Sequence, residues 1–302
     1  MNMHIALYPL IAVILFASNA VIPQFGLVAA VFSPLVLLLY FAHQERDRRY
    51  DTMLVVLVAG LAVFNHVLAA FFIISPVFSA VFIRYCLRKK IYTSWLPATG
   101  AALLSFAVTF VIIYGFASYR EGLVEFASNG LKTFMDAAKE ANAPMTQSPY
   151  FTQIDENRNQ AALSIVLVFP AFNYMYTVFA AFIALRLFSK IKNIPHENFR
   201  LPDNLVWALI ASLALVFTSS LFLRFTGINF AMILMTLYAF QGFDIILFWM
   251  NRFKVLPIIK AIIFIFIFSE PPIILIISLV GLFSVWFNFY GRPKDEEQER
   301  SE

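Results

Sequence analysis

YAFQGFDIILFWMNRFK, residues 238–254, is apolar enough to lie in a lipid bilayer, yet it carries Gln241 and Asp244 well before the basic cluster that ends it. If the helix ends near Met250, Asp244 lies six residues, roughly 9 Å, inside it. A carboxylate at that depth is costly unless it has a partner. Two readings stay open. Asp244 neutralises Arg252, Lys254 or a basic residue of a neighbouring span, or it faces the bundle interior with Gln241 on the same face and takes a ligand, ion or proton.

The rest of the chain has the same character. Hydrophobic residues make up 61% of the 302 and charged residues 13%, against about half and a quarter in soluble domains, so the chain is an all-α, polytopic membrane helix bundle. The net charge of +4 is then no nucleic-acid footprint, because in a membrane protein the placement of Lys and Arg matters rather than their sum. One cysteine, Cys86, excludes an internal disulfide, and four scattered histidines give no metal-ligand spacing. No nucleotide-binding or serine-hydrolase motif is present, no paired carboxylates lie a turn apart at depth, and no cofactor or enzymatic reaction is expected.

Apolar runs at 5–20, 25–42, 52–64, 68–85, 97–118, 161–187, 203–224, 228–250, 255–269 and 272–289 suggest ten spans, or eight if the pairs 52–85 and 255–289 are re-entrant. The first run has no Lys or Arg before it and is read as a membrane helix rather than a signal peptide. With ten spans, sixteen of the twenty-two Lys and Arg fall on one side, in clusters around Arg46, Arg88, Lys190, Arg252 and Arg292. That side is expected to be cytoplasmic, with both termini there. Trp95, Trp207, Trp249 and Trp286 fall at the same ends, where indole rings favour the headgroup layer. Residues 1–291 read as one integral membrane domain and 292–302 as a disordered tail.

The one long segment outside the membrane, 119–160, carries an amphipathic helix over about 121–140, with Leu123, Ala127, Leu131, Phe134, Met135 and Ala138 on its apolar face. It is expected to lie on the outer surface or cap the bundle. Span six contributes FPAFNYMYTVF, in which Pro170 frees a backbone carbonyl and Asn173, Tyr174 and Tyr176 follow near mid-bilayer. Polar side chains beside a broken helix line small-molecule cavities in membrane proteins, although an Asn can equally bond a neighbouring helix. Arg224 and Glu270 are candidates for a pair across the outer mouth, and Lys260 is expected to snorkel.

FRLPDNLVW at 199–207, QGFDII at 241–246 and the terminal VGLFSVWFNF, with the early hairpins and the outer amphipathic segment, resemble the YybS-like family of bacterial integral membrane proteins. Ser284, Asn288 and Tyr290 stand where the family often has Asp, Asp and Arg, so that charge pattern is not carried over. The family looks distantly similar to the substrate-binding membrane subunits of energy-coupling-factor transporters, which implies a small-molecule site among the helices. Asn173, Tyr176, Gln241 and Asp244 are the expected lining of that site. The partners expected are the lipid bilayer, a small-molecule ligand and a membrane or cytoplasmic protein. The alternative is a structural or assembly protein that docks a protein partner.

Overall fold

A computed structural model describes residues 3–43, 48–195, 197–287 and 289. Arg46, Arg292, Lys294, Arg300, His196, Asn288, Tyr290 and the tail 292–302 lie outside the described residues. Fourteen α-helices and no strand occur among the described residues. They are α1 (Met3–Val21), α2 (Pro23–Ala30), α3 (Ser33–Phe41), α4 (Arg48–Phe64), α5 (His66–Phe72), α6 (Phe78–Arg88) and α7 (Trp95–Gly115). There follow α8 (Ala117–Glu140), α9 (Pro149–Glu156), α10 (Arg158–Lys192), α11 (Leu205–Val216), α12 (Leu221–Arg252), α13 (Pro257–Ser269) and α14 (Pro271–Phe283). A π-helical turn, Ile73–Val77, joins α5 to α6 and contains Pro76.

Proline opens several of these helices, where its fixed φ fits and its missing N–H is not needed. Asn65 caps α5 by accepting from the Leu68 N–H at 3.0 Å. Four helices end on a left-handed residue that is not glycine: Lys90, Asn142, Asn193 and Lys254. In each, the next N–H reaches five residues back, as Ile91 does to the Cys86 carbonyl and Val255 to the Met250 carbonyl, which satisfies carbonyls that a helix end would orphan.

The all-helical membrane bundle is as expected, but the ten-span count is not supported. Among the described residues four helices, His66–Arg88, Trp95–Gly115, Arg158–Lys192 and Leu221–Arg252, are long and apolar enough to cross a membrane. Pro257–Ser269 and Pro272–Phe283 would make a fifth if counted together, but they meet at a 107° bend. Leu7–Val21, Phe25–Phe41, Thr52–Phe64 and Leu205–Val216 are apolar but short. At about 1.5 Å per residue most reach only ~18 to 26 Å, less than a ~30 Å hydrocarbon core. The placement of both termini on one side rested on an even count of full crossings, and these lengths do not carry it.

Hydrogen bonds nevertheless gather the basic loops at one end. The Ser94 hydroxyl, before α7, donates to the Glu197 carbonyl, and the Glu197 N–H donates to the Tyr92 carbonyl at 3.0 Å. The Phe199 N–H donates to Asp244 near the end of α12. Arg88, Lys190, Lys192, Arg200 and Arg252 therefore share an end, with Trp95 and Trp249. α12 and α14 run parallel: Gly281 lies against Tyr238, Ser284 against Gln241, and the Trp249 indole donates to the Phe289 carbonyl at 2.9 Å.

α10, about 52 Å long, takes part in both large core clusters. Ala181, Leu185 and Phe188 pack with α1, α3, α5 and α6. Ala171, Tyr174 and Val178 pack with α7, α11, α12 and α14. At the far end α8 lies against the start of α10, with Ser128 bonded to Asn159 at 2.7 Å and Lys139 to Asp155. Its packed face carries Val124, Ala127, Met135 and Ala138. Leu123 and Phe134, expected on that face, are instead exposed with Phe126, because contact with α9 and α10 rotates the buried stripe away from them.

Candidate functional site

Pro170 has no N–H to give the Val166 carbonyl, so the ladder of α10 is interrupted just before the segment that carries Phe172, Asn173 and Tyr176. Asn229 of α12, fully buried, is inserted at the break. Its Oδ1 accepts from the Ala171 N–H at 2.9 Å and its Nδ2 donates to the Leu167 carbonyl at 2.8 Å, two groups that a regular helix pairs with each other. The Tyr114 hydroxyl, which also donates to Leu167 at 2.9 Å, accepts from the same Nδ2 at 3.0 Å. The broken turn is thus held by side chains from α7 and α12.

On the next turns of α10, Asn173 and Tyr176 face a cavity of about 570 Å³ bounded by α1, α2, α5 and the π-helical turn. Its walls are mainly aromatic and aliphatic, with Phe16, Phe71, Phe169 and Phe172 among them. Three carboxamides, Asn19, Asn65 and Asn173, and the Ser75 hydroxyl supply its polar groups. Asn173 spends its N–H on Ser105, 2.6 Å to the hydroxyl, which leaves its carbonyl oxygen for another donor. Asn65 spends its oxygen on the cap of α5 and keeps its N–H₂. The Tyr176 hydroxyl donates to the Leu27 carbonyl at 3.0 Å. Among the described residues no Asp, Glu, Lys, Arg or His lines the cavity, and its size suits a small organic ligand.

Gln241 and Asp244 line no part of it. Both are buried in α12 and fasten the segment between α10 and α11. Asp244 forms an ion pair with Arg186 of α10 and accepts from the Phe199 N–H, which gives the carboxylate the partner its depth requires. Gln241 accepts from the Leu201 N–H at 2.7 Å and donates to the Gly281 carbonyl at 3.1 Å and to Ser284. Arg186 also lies over the Phe182 ring, 5.1 Å from its centroid. The four residues therefore fall in two pairs, Asn173 with Tyr176 at the cavity and Gln241 with Asp244 at the basic end. Arg224 bonds the Thr218 carbonyl at 3.3 Å and makes no ion pair with Glu270, while Lys260 bonds Asn251.

Sequence reasoning missed Asn229, Asn19 and the part of Asn65 in the cavity. Asn229 carried a signal, being a carboxamide deep in an apolar helix. Asn65 falls in the polar break between two apolar runs, where a carboxamide is unremarkable, and only the fold of α5 against α10 brings it to the same cavity as Asn173.

The family described as Predicted membrane protein (DUF2232) matches residues 10–284, nearly the whole chain, and the chain belongs to that family. No curated protein and no solved structure matches it.

Proposed function

We propose that this member of the predicted-membrane-protein family binds an uncharged small molecule within the membrane, as the binding subunit of a transport system. One observation carries the reading: three carboxamides converge on an aromatic-walled cavity of about 570 Å³ whose described lining includes no ionisable side chain of the acidic, basic or histidine type. A charged ligand there would lose its hydration without a counter-charge, whereas a neutral one needs only hydrogen bonds. The free oxygen of Asn173 and the free N–H₂ of Asn65 offer an acceptor and a donor. The π-helical turn beside Ser75 adds support, because such turns recur at functional sites.

In this reading the basic end faces the cytoplasm of a bacterium, by the positive-inside rule, and the cavity opens towards the outer half of the membrane. The chain has no nucleotide-binding motif, so energy would come from an ion gradient or from a partner ATPase, as in the energy-coupling-factor systems to which the YybS-like family looks distantly similar. Gln241 and Asp244 act there as fasteners rather than as ligand contacts.

The test is a thermal-stability screen of the purified protein in lipid nanodiscs against neutral metabolites, with the Asn173→Leu variant in parallel. A stabilising compound whose effect vanishes in Asn173→Leu supports the site. Stabilisation that survives the change removes Asn173 from it, and co-purification from the host without any ATPase argues against a transport subunit of that kind. The exposed Leu123, Phe126 and Phe134 of α8 favour a second reading, an assembly protein that docks a partner at its outer face. Deletion of 117–140 would then abolish a complex while the bundle stays folded.

A further inference from the structure

A second cavity, about 500 Å³, lies on the adjacent face of α10, between α10, α12, α13 and α14. Tyr176 lines both cavities and is the one residue their walls share. The chemistry changes across it. On one side are the carboxamides. On the other, Met175, Met232 and Met235 stand with Phe179, Phe243 and Phe268, and besides Tyr176, whose hydroxyl is given to Leu27, the described lining has side-chain hydroxyls at Thr236 and Ser278. Both hydroxyls are already spent on helix carbonyls, Thr236 on Met232 at 2.8 Å and Ser278 on Ile274 at 2.9 Å. Flexible thioethers accommodate irregular apolar shapes, which suits a chain better than a rigid ring. Phe169 and Phe172, at the first cavity, are 41% and 52% exposed, so the ridge between the two spaces faces the bilayer and a ligand could enter sideways from it.

Resting on the binding reading above, we infer that the ligand is an uncharged amphiphile. Its polar head sits among Asn19, Asn65 and Asn173, and its apolar tail passes Tyr176 into the methionine-lined cavity. The contrast between the two linings and their junction at a single side chain carry this inference. Among the described residues no charged side chain lines either space, which disfavours anionic phospholipid headgroups as the occupant.

The test uses a monoacylglycerol with a photoreactive diazirine placed either at the head or at the tail terminus, offered to the protein in nanodiscs, with adducts mapped by mass spectrometry. The head probe is expected to label α1, α5 or the Phe169–Tyr176 turns, and the tail probe the 232–236 or 274–278 segments. Leu275→Trp, at the exposed mouth of the second cavity, should abolish tail adducts and keep head adducts; Met235→Trp repeats the test from the opposite wall. Asn173→Leu should abolish both. Head adducts with tail labelling unaffected by either tryptophan overturn the amphiphile and leave the polar cavity standing. Tail adducts that persist in Asn173→Leu mean that ordinary bilayer chains occupy the second cavity, which also overturns it. A head probe that labels only the lipid-facing surface does the same, and the metabolite screen then decides the first cavity independently.

Discussion

Asn229 on α12 accepts the Ala171 N–H of α10 at 2.9 Å, so a side chain of one membrane helix completes the backbone of another. Replacing it with leucine removes the bonds it makes to the Ala171 N–H and the Leu167 carbonyl beside Pro170. The expected cost is about 1 to 2 kcal/mol, at the upper end of interhelical hydrogen bonds in membranes. Equilibrium unfolding in mixed SDS micelles measures it, and a cost under about 0.5 kcal/mol would mean the break is held by packing alone.

The Arg186–Asp244 pair should behave differently from an exposed one. Asp244 is 4% exposed and Arg186 23%. Asp244→Ala strands a guanidinium and the Phe199 N–H, and should cost about 2 to 4 kcal/mol, below the full value for a dry pair because Arg186 is partly wet. Asp244→Asn, which can still accept from Phe199, should cost less. In a double-mutant cycle, Arg186→Met with Asp244→Asn should show a coupling of about 1 kcal/mol or more, and additive losses would count against a direct pair.

The parallel contact of α12 and α14 depends on absent side chains. A Cβ on Gly281 would lie 1.9 Å from the Tyr238 carbonyl oxygen, and one on Gly242 2.2 Å from that of Ile277. Backbone cannot yield as a side chain does, so Gly281→Ala should destabilise by about 1 to 3 kcal/mol. Gly122→Ala, in open space on α8, should be neutral or stabilising by up to about 1 kcal/mol. Thermal unfolding of the two variants side by side checks the contrast.

Outside the membrane, the hydrogen bond from Lys139 holds the Asp155 carboxyl below its usual range. A carboxyl whose folded pKa is depressed contributes its stability above the unfolded value and loses it as pH falls through the folded one. Protection of the α8–α9 segment from a protease should therefore be level from neutral pH down to about 4 and fall below that. Asp155→Asn should remove the acid-dependent component, and an unchanged profile would assign it elsewhere.

Orientation can be read by labelling. In a Cys86→Ala background, Asn129→Cys should react with an impermeant maleimide on intact cells, and Lys192→Cys only after permeabilisation. The opposite pattern would invert the chain in the membrane.

Much of the fold was legible because membrane depth leaves a signature along the chain. The apolar runs, the outer helix, the break at Asn65 and the bend at Glu270 all follow from hydropathy and proline placement. Position around each helix axis was not legible. Asp244 plainly needed a partner, but whether Arg252 or Arg186 supplied it depends on which face of α12 meets α10. Asn173 and Gln241 looked alike in depth for the same reason, and only neighbouring helices send one to a cavity and the other to a loop. The span count failed because 13 apolar residues read the same whether a helix crosses or stops short.

In the segment between α10 and α11, Phe199 and Leu201 are buried and Arg200 between them is exposed. Its backbone N–H groups, at every second residue, are what Asp244 and Gln241 grip. Surface connections usually tolerate a gained or lost residue. Here deletion of Arg200 would join Phe199 directly to Leu201, so the ring that now lies beside Phe182 and Phe240 and the Leu201 side chain could not both point inward while Asp244 and Gln241 hold their N–H groups. Chain length between these two anchored residues is fixed.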